Sequence, residues 1–201
     1  MTAPQQQSLF ADDRGRPAGL SYWPDFITAT IERQLIDGIS TLPLQPFQFG
    51  AYQGKRKVAS FGFRYDYASH RLETAEPVPG WLLDIAGRIE GSQKLDPGSI
   101  KHVLCTEYEP GAGIGWHRDK PHFDLVFGLS LGSRCRFRFR RKSGARWMRF
   151  TLDAEPRSLY LMTGEARHIW EHSIPPVEQP RYSMTFRTMA QRPQERRTSA
   201  G

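Results

Sequence analysis

The sequence predicts a mainly β fold with flanking helices, and three observations carry that expectation. Apolar residues recur at helical spacing in two early segments. From Gly98 onward the pattern changes to short alternating runs separated by turn residues. Fifteen prolines and eighteen glycines supply the turns that a strand-rich chain needs. Helical segments followed by a meander of about eight strands fit a two-sheet barrel of the jelly-roll kind.

The elements follow in order. Residues 1–13 are Gln-rich, then acidic, and read as a tail carrying one apolar pair, Leu9-Phe10. Tyr22-Trp23-Pro24-Asp25 leads into a helix over 28–39, where Ile27, Ile31, Leu35 and Ile36 share one face. Phe47, Phe49 and Ala51 alternate and open the β region, and Val58–Tyr67 reads as a strand pair or ribbon. Pro79 opens a second helix over 80–90, with Trp81, Leu82, Ile85 and Ile89 on its apolar side. Strands are then expected over 102–108, 114–120, 125–131, 134–140, 147–152, 158–163 and 181–188. Residues 190–201, with Arg192, Arg196 and Arg197, read as a disordered basic tail, which leaves 14–189 as a single domain.

Composition limits the function classes. With 38% apolar and 12% aromatic residues, the 201-residue chain is globular rather than disordered in type. No run reaches the roughly 18 uninterrupted apolar residues of a membrane span. Met1–Gln7 lacks the basic start and apolar core of a secretory signal, so a cytoplasmic monomer is the expectation. Cys105 and Cys135 fall in apolar runs and read as reduced core thiols. A net charge of +7 permits attraction to polyanions without naming a site.

The most informative motif is His117-Arg118-Asp119, with His172 downstream. Residues two apart on a strand point to one face, so His117 and Asp119 can reach one ion while Trp116 and Arg118 point away. Two imidazoles and a carboxylate suit non-haem Fe(II) with open positions for a co-substrate and O2. His70, His102, His122 and His168 compete with His172 for the third place. His168 and His172 would share a helix face, but the flanking residues have turn and strand chemistry. His172 is preferred because the chain after it leads into Arg181–Arg187. There Arg181, Ser183, Thr185 and Arg187 alternate onto one face, and two readings stand side by side. Either they turn inward to an anion such as a dicarboxylate, or they line an exposed edge.

Together these residues resemble the AlkB-like family of Fe(II)/2-oxoglutarate-dependent dioxygenases. The resemblance covers about 61–189 and rests on Thr106-Glu107-Tyr108 with Pro110-Gly111, His117-Arg118-Asp119-Lys120, His172-Ser173-Ile174 and Arg181-Tyr182-Ser183-Met184-Thr185-Phe186-Arg187. It implies a double-stranded β-helix (jelly-roll) core and a metal triad of His117, Asp119 and His172. It also implies that Arg181 binds the distal carboxylate of 2-oxoglutarate, helped by Tyr108, Thr106 and Ser183, with Arg187 near the metal-chelating end. Thr106, and often Ser183, stand where the family has Asn. The implied reaction consumes 2-oxoglutarate and O2, forms succinate, and oxidises a methyl group on nitrogen that leaves as formaldehyde. Alkylated DNA or RNA, single-stranded or duplex, is the implied substrate; the alternatives are a protein or small molecule, or a non-catalytic basic module that binds nucleic acid.

Substrate contacts are expected from a lid over about 50–80, where Phe63, Arg64 and Tyr65 can stack on a base or reach its backbone. The same residues can equally be sheet core. Gly54-Lys55-Arg56-Lys57 reads either as phosphate contacts or as a solvated turn. Trp116 is a further substrate candidate. Along Arg134–Arg140 alternation turns Cys135, Phe137 and Phe139 inward and sets Arg134, Arg136, Arg138 and Arg140 in a row that calls for a polyanion or acidic neighbours. Some base-demethylating members carry an acidic residue where this chain has Pro121; His122 or Asp124 are the nearby substitutes. Gln6-Gln7-Ser8-Leu9-Phe10 is similar to peptides that engage the bacterial sliding clamp; the other reading is a tail capping the domain's own surface.

Overall fold

A computed structural model of the chain describes residues 15–49, 52–66 and 71–190. The clamp-like peptide at Gln6–Phe10, His70 and nearly all of the basic tail lie outside the described residues. The elements run β1 Leu20–Trp23, α1 Ala29–Ser40, β2 Gln45–Phe49, β3 Tyr52–Phe61, β4 Phe63–Asp66, β5 Arg71–Thr74 and α2 Gly80–Ser92. They continue β6 Ile100–Tyr108, β7 Ile114–His117, β8 Phe123–Leu131, β9 Cys135–Ser143, β10 Arg146–Ala154, β11 Leu159–Met162, α3 Gly164–His168, β12 Glu171–Ile174 and β13 Arg181–Met189. Both expected helices are present, and the Thr28 side chain caps α1 by accepting from the Ile31 amide at 3.3 Å.

Two antiparallel sheets form the body. Seven strands lie in the order β1-β11-β8-β13-β6-β3-β2 and four in the order β10-β9-β12-β7, while β4 and β5 form a separate hairpin. This is the jelly-roll arrangement the alternation predicts. Period-2 patterning divides β8 between two cores, while β13 gives its apolar face to one of them and a polar face to the other side. Met184, Phe186, Phe127, Leu129 and Leu131 meet Leu35, Ile39, Leu82, Ile85 and Ile89 of α1 and α2 on one side of the large sheet. On its other side Tyr108, Val126 and Met162 meet Cys135, Phe137, Phe139, Trp170 and Ile174 between the sheets. The candidate site opens from that second core.

The structure differs from the sequence expectation in four places. The segment leading into α1 does so through an unexpected edge strand, Leu20–Trp23, paired with β11 and with Leu20 opposite Met162. The 54–57 segment is not a turn but part of β3, where Lys57 pairs with Glu107 at 3.6 Å and Arg56 stacks 3.7 Å from the Phe47 ring centroid. The strand bearing the His-x-Asp ends at His117, so Asp119 lies just beyond it. A short helix, Gly164–His168, interrupts the strand-rich C-terminal half. Each miss has one cause: neighbours distant in sequence supply the hydrogen bonds or packing that decide the local state.

Gly128 shows how tightly the inter-sheet core is filled. It stands opposite Tyr160, and a Cβ there would fall 2.0 Å from the Tyr160 ring. Replacing it requires moving a half-buried aromatic that also packs against Phe137 at 4.7 Å. Gly128→Val is expected to cost about 1–3 kcal/mol of stability through overpacking. The check is the urea unfolding midpoint; an unchanged midpoint would mean that Tyr160 is free to leave its position.

Candidate metal and co-substrate site

The site begins with one strand pairing. β12 runs antiparallel to β7 with His172 directly opposite His117, and the next aligned pair is Ile174 with Ile114. One extra residue on β7 makes a bulge between these pairs, so residues three apart, Ile114 and His117, both face inward. The two imidazole rings lie 4.3 Å apart between centroids. Asp119 follows at once, and its Oδ2 is 3.6 Å from His172 Nε2. His117 Nδ1 lies 3.0 Å from the Gly115 carbonyl; donating there leaves Nε2 with its lone pair. Among the described residues no group of three or more His, Cys, Asp or Glu side chains is spaced, as the side chains stand, to hold a metal ion. His117, Asp119 and His172 instead form a convergent set whose chemistry, two imidazoles and one carboxylate, fits Fe(II).

Asp119 is fixed by cations. Arg187 Nη2 and Nε both donate to its Oδ1, at 2.7 and 3.2 Å, which leaves Oδ2 turned toward His172. The Arg187 Nη1 lies 3.1 Å from His102 Nδ1, so this guanidinium serves the protein's own groups. Arg167, absent from the sequence expectation, anchors the loop after the motif by donating to the carbonyls of Asp119, Lys120 and Phe123. It is buried on α3, and the short helix that presents it was the missing signal.

Burial and charge set the protonation states. Burial lowers the His172 pKa to about 3, assisted by neighbouring His117, while Asp119 acts in the opposite direction. Burial also lowers that of His117, and it lowers that of His102 well below the usual imidazole range with help from Arg187. For Asp119 burial pushes upward, but Arg187, His172 and His117 together outweigh it and hold the carboxyl well below the usual range. Neutral imidazoles and an ionised carboxylate are the states a divalent cation requires.

The co-substrate half lies on the same inner face. Arg181 is 1% exposed; its Nη2 donates to Ser130 Oγ at 3.2 Å and its guanidinium lies 4.9 Å from the Tyr108 ring centroid. Its Nε and Nη1 are buried without a hydrogen-bond partner. A buried guanidinium with two unused donors fits a carboxylate, which accepts two parallel N–H bonds. Ser183 Oγ lies 3.5 Å from Tyr108 OH, and Ser183 stands opposite buried Thr106 in the β13–β6 register. The edge-strand reading of Arg181 and Arg187 is therefore overturned: β13 is central, with β8 on one side and β6 on the other.

The substrate candidates separate. Phe63 is half-buried, and its carbonyl accepts from Ser60 Oγ at 2.8 Å. Arg64 and Tyr65 pair through their backbones with Glu73 and Leu72 on the β4–β5 hairpin, and their side chains lie outside the description. Trp116 and Arg138 do come together, with the guanidinium 5.1 Å from the indole, but on the outer face of the small sheet, away from His117. Asp124, one of the substitutes near Pro121, is 3.9 Å from His168. That pairing places His168 outside the triad.

A pH dependence follows for the metal-free protein. His102 and His172 are held neutral when folded, whereas an unfolded imidazole ionises near pH 6.5. Below that pH the unfolded chain binds more protons, so stability is complete above about pH 6.5 and declines as pH falls, by about 1 kcal/mol per buried imidazole at pH 5.5. Urea midpoints at pH 7.5 and 5.5, in the presence of a chelator, measure this. A His172→Asn variant should show a shallower decline.

Comparisons with known proteins give the family and the fold. Residues 19–198 match the family model described as the 2OG-Fe(II) oxygenase superfamily. The chain is 30% identical over 181 residues to an "Alkylated DNA repair protein ALKBH8 homolog" of Arabidopsis thaliana, covering 78% of this chain and 51% of that protein. It is 31% identical over 167 residues to the "tRNA (carboxymethyluridine(34)-5-O)-methyltransferase ALKBH8" of Mus musculus, covering 80% of this chain and 24% of that protein. The chain thus spans about half of the first relative and a quarter of the second. A solved structure described as "The structure of OsALKBH1" superimposes with a TM-score of 0.67 at 17% identity, covering 86% of this chain and 97% of that one, which speaks for the fold. The chain belongs to the 2OG-Fe(II) oxygenase superfamily, a family built on Fe(II), 2-oxoglutarate and O2, and within it resembles the AlkB-like relatives named above.

Proposed function

We propose that this protein is a 2-oxoglutarate-dependent dioxygenase that oxidatively demethylates alkylated bases in DNA or RNA, with His117, Asp119 and His172 as its iron ligands. Arg181, supported by Tyr108, Ser183 and Thr106, takes the distal carboxylate of 2-oxoglutarate. Bound iron, 2-oxoglutarate and O2 supply the oxidant that hydroxylates an N-methyl group, which leaves as formaldehyde. The chain's own residues orient and shield. Arg187 keeps Asp119 ionised and its Oδ2 directed inward, while Phe137 and Phe139, 5.4 and 6.2 Å from the His172 ring, exclude water behind it.

One observation carries the choice of a polyanionic substrate. Arg136, Arg138, Arg140 and Lys142 of β9 share the outer face of the small sheet with Arg149 of β10, and Arg149 stands directly opposite Arg140. Glu171 pairs with Arg140 at 2.7 Å and Asp153 faces Arg136, which leaves the face net positive. Like charges opposed across strands destabilise a sheet unless an anion joins them. Arg140 also lies between two indoles, 4.4 Å from Trp116 and 4.5 Å from Trp147. Guanidinium alternating with indole suits phosphates and unstacked bases. The relatives support this reading, since their names refer to alkylated DNA and to tRNA.

Two measurements test it. With Fe(II), O2 and 2-oxoglutarate, the protein should form succinate, and His117→Ala should reduce the rate at least a hundredfold; a wild type without metal-dependent turnover overturns the site assignment. Single-stranded DNA and RNA bearing 1-methyladenine or 3-methylcytosine should lose the mass of one methylene per base repaired. Succinate formation with every such oligonucleotide left intact would move the substrate away from N-methylated bases.

A further inference from the structure

We propose that His102 is a positioning residue that holds Arg187 on Asp119 and links that carboxylate to the β4 strand through Ser60. The proposal rests on the assignment of Asp119 as a metal ligand. The link is a continuous chain of hydrogen bonds. Arg187 donates to Asp119 Oδ1, its Nη1 is 3.1 Å from His102 Nδ1, His102 Nε2 is 3.1 Å from Ser60 Oγ, and Ser60 Oγ donates to the Phe63 carbonyl at 2.8 Å. Strand register supports it: His102 is the direct partner of Arg187, and Ser60 stands opposite Leu104, one step along the same face.

The direction of every bond follows from the donors available. Ser60 has one hydroxyl proton, and the Phe63 carbonyl can only accept it. Ser60 Oγ must therefore accept from His102, which fixes the proton on Nε2. Nδ1 then carries a lone pair and accepts from Arg187 Nη1. With Nη1 held in this way, the guanidinium plane is set, and both Nε and Nη2 fall on a single oxygen of Asp119. The other oxygen is left toward His172. Without His102, Arg187 can rotate into a two-oxygen fork with the carboxylate, the geometry guanidinium prefers. Such a fork would occupy the oxygen that a metal needs. The imidazole thereby keeps Asp119 a one-oxygen partner of arginine. At the other end, Phe63 begins the strand expected to face substrate, so substrate-side backbone and metal-side carboxylate are oriented by one network.

Shape alone makes a different prediction from hydrogen bonding. The His102 ring also packs 4.9 Å from Phe123, so a purely space-filling role would be met by leucine. His102→Leu should weaken Mn(II) binding about tenfold, the effect usual for groups that orient a ligand from outside it. His102→Gln should restore affinity to within about threefold of wild type, because its carbonyl can accept from Arg187 and its amide can donate to Ser60. Ser60→Ala should speed amide exchange in Phe63–Asp66 in the His102 background and add nothing to His102→Leu. Mn(II) affinity is read from the free-ion electron paramagnetic resonance signal, without turnover. Wild-type affinity in His102→Leu, or leucine and glutamine behaving alike, overturns the proposal. A wild type that binds no Mn(II) instead overturns the metal assignment, and the proposal with it. If His102→Leu does not fold, unchanged exchange in Ser60→Ala overturns the link by itself.

Discussion

The buried ion pair between Asp119 and Arg187 is the constraint around which the site is arranged. Asp119 sits just past β7 of the small sheet and Arg187 on β13 of the large one, so their contact ties the two sheets together where the imidazoles converge. Both side chains are about nine-tenths buried. A carboxylate taken from water at that depth is costly unless a cation and hydrogen bonds replace its hydration. Arg187 supplies both, and Arg167 holds the following backbone so that the carboxylate does not swing away. The pair also has an orientation, since only Oδ1 is engaged, and this makes a structural contact compatible with a ligand role.

The remainder of the inner face follows the same logic. A sheet face that buries Arg181, Ser183, Thr106 and Arg187 would be expensive as an ordinary core, because polar groups there need partners. Arg187 finds them within the protein. Arg181 finds Ser130 for Nη2, and its two unpartnered nitrogens, Nε and Nη1, mark where an external anion belongs. The apolar part of the inter-sheet core, with Phe137, Phe139 and Tyr160 around His172 and Gly128, keeps water from competing for those donors. The charge on the outer face of β9 and β10 is a separate matter. Arg140 there is half-buried and paired with Glu171, and the excess positive charge of that face acts at long range.

Much of this was legible in the chain. The two helices, the strand meander, the inward Cys135-Phe137-Phe139 face and the polar face of β13 all follow from periodicity, because a side chain's direction on a strand or helix is fixed by local geometry. The motif residues His117, Asp119 and His172 were legible as chemistry. What periodicity misjudged was the strand carrying them: it predicts continuation to residue 120, whereas β7 ends at His117 after a bulge. A bulge is decided by the partner strand, and nothing within residues 114–120 announces it.

The sequence by itself therefore determined the fold class, the donor types and which residues of each strand face one way, since all of these are local properties of alternation and side-chain chemistry. Only the tertiary structure decided that His172 lies opposite His117, that Arg187 is committed to Asp119 and His102 while Arg181 is left with free donors, and that Trp116 and Arg138 turn outward. Those outcomes depend on register between strands far apart in the chain. Two strands can pair in several registers with the same alternation, and it is the sum of packing between the sheets that selects one.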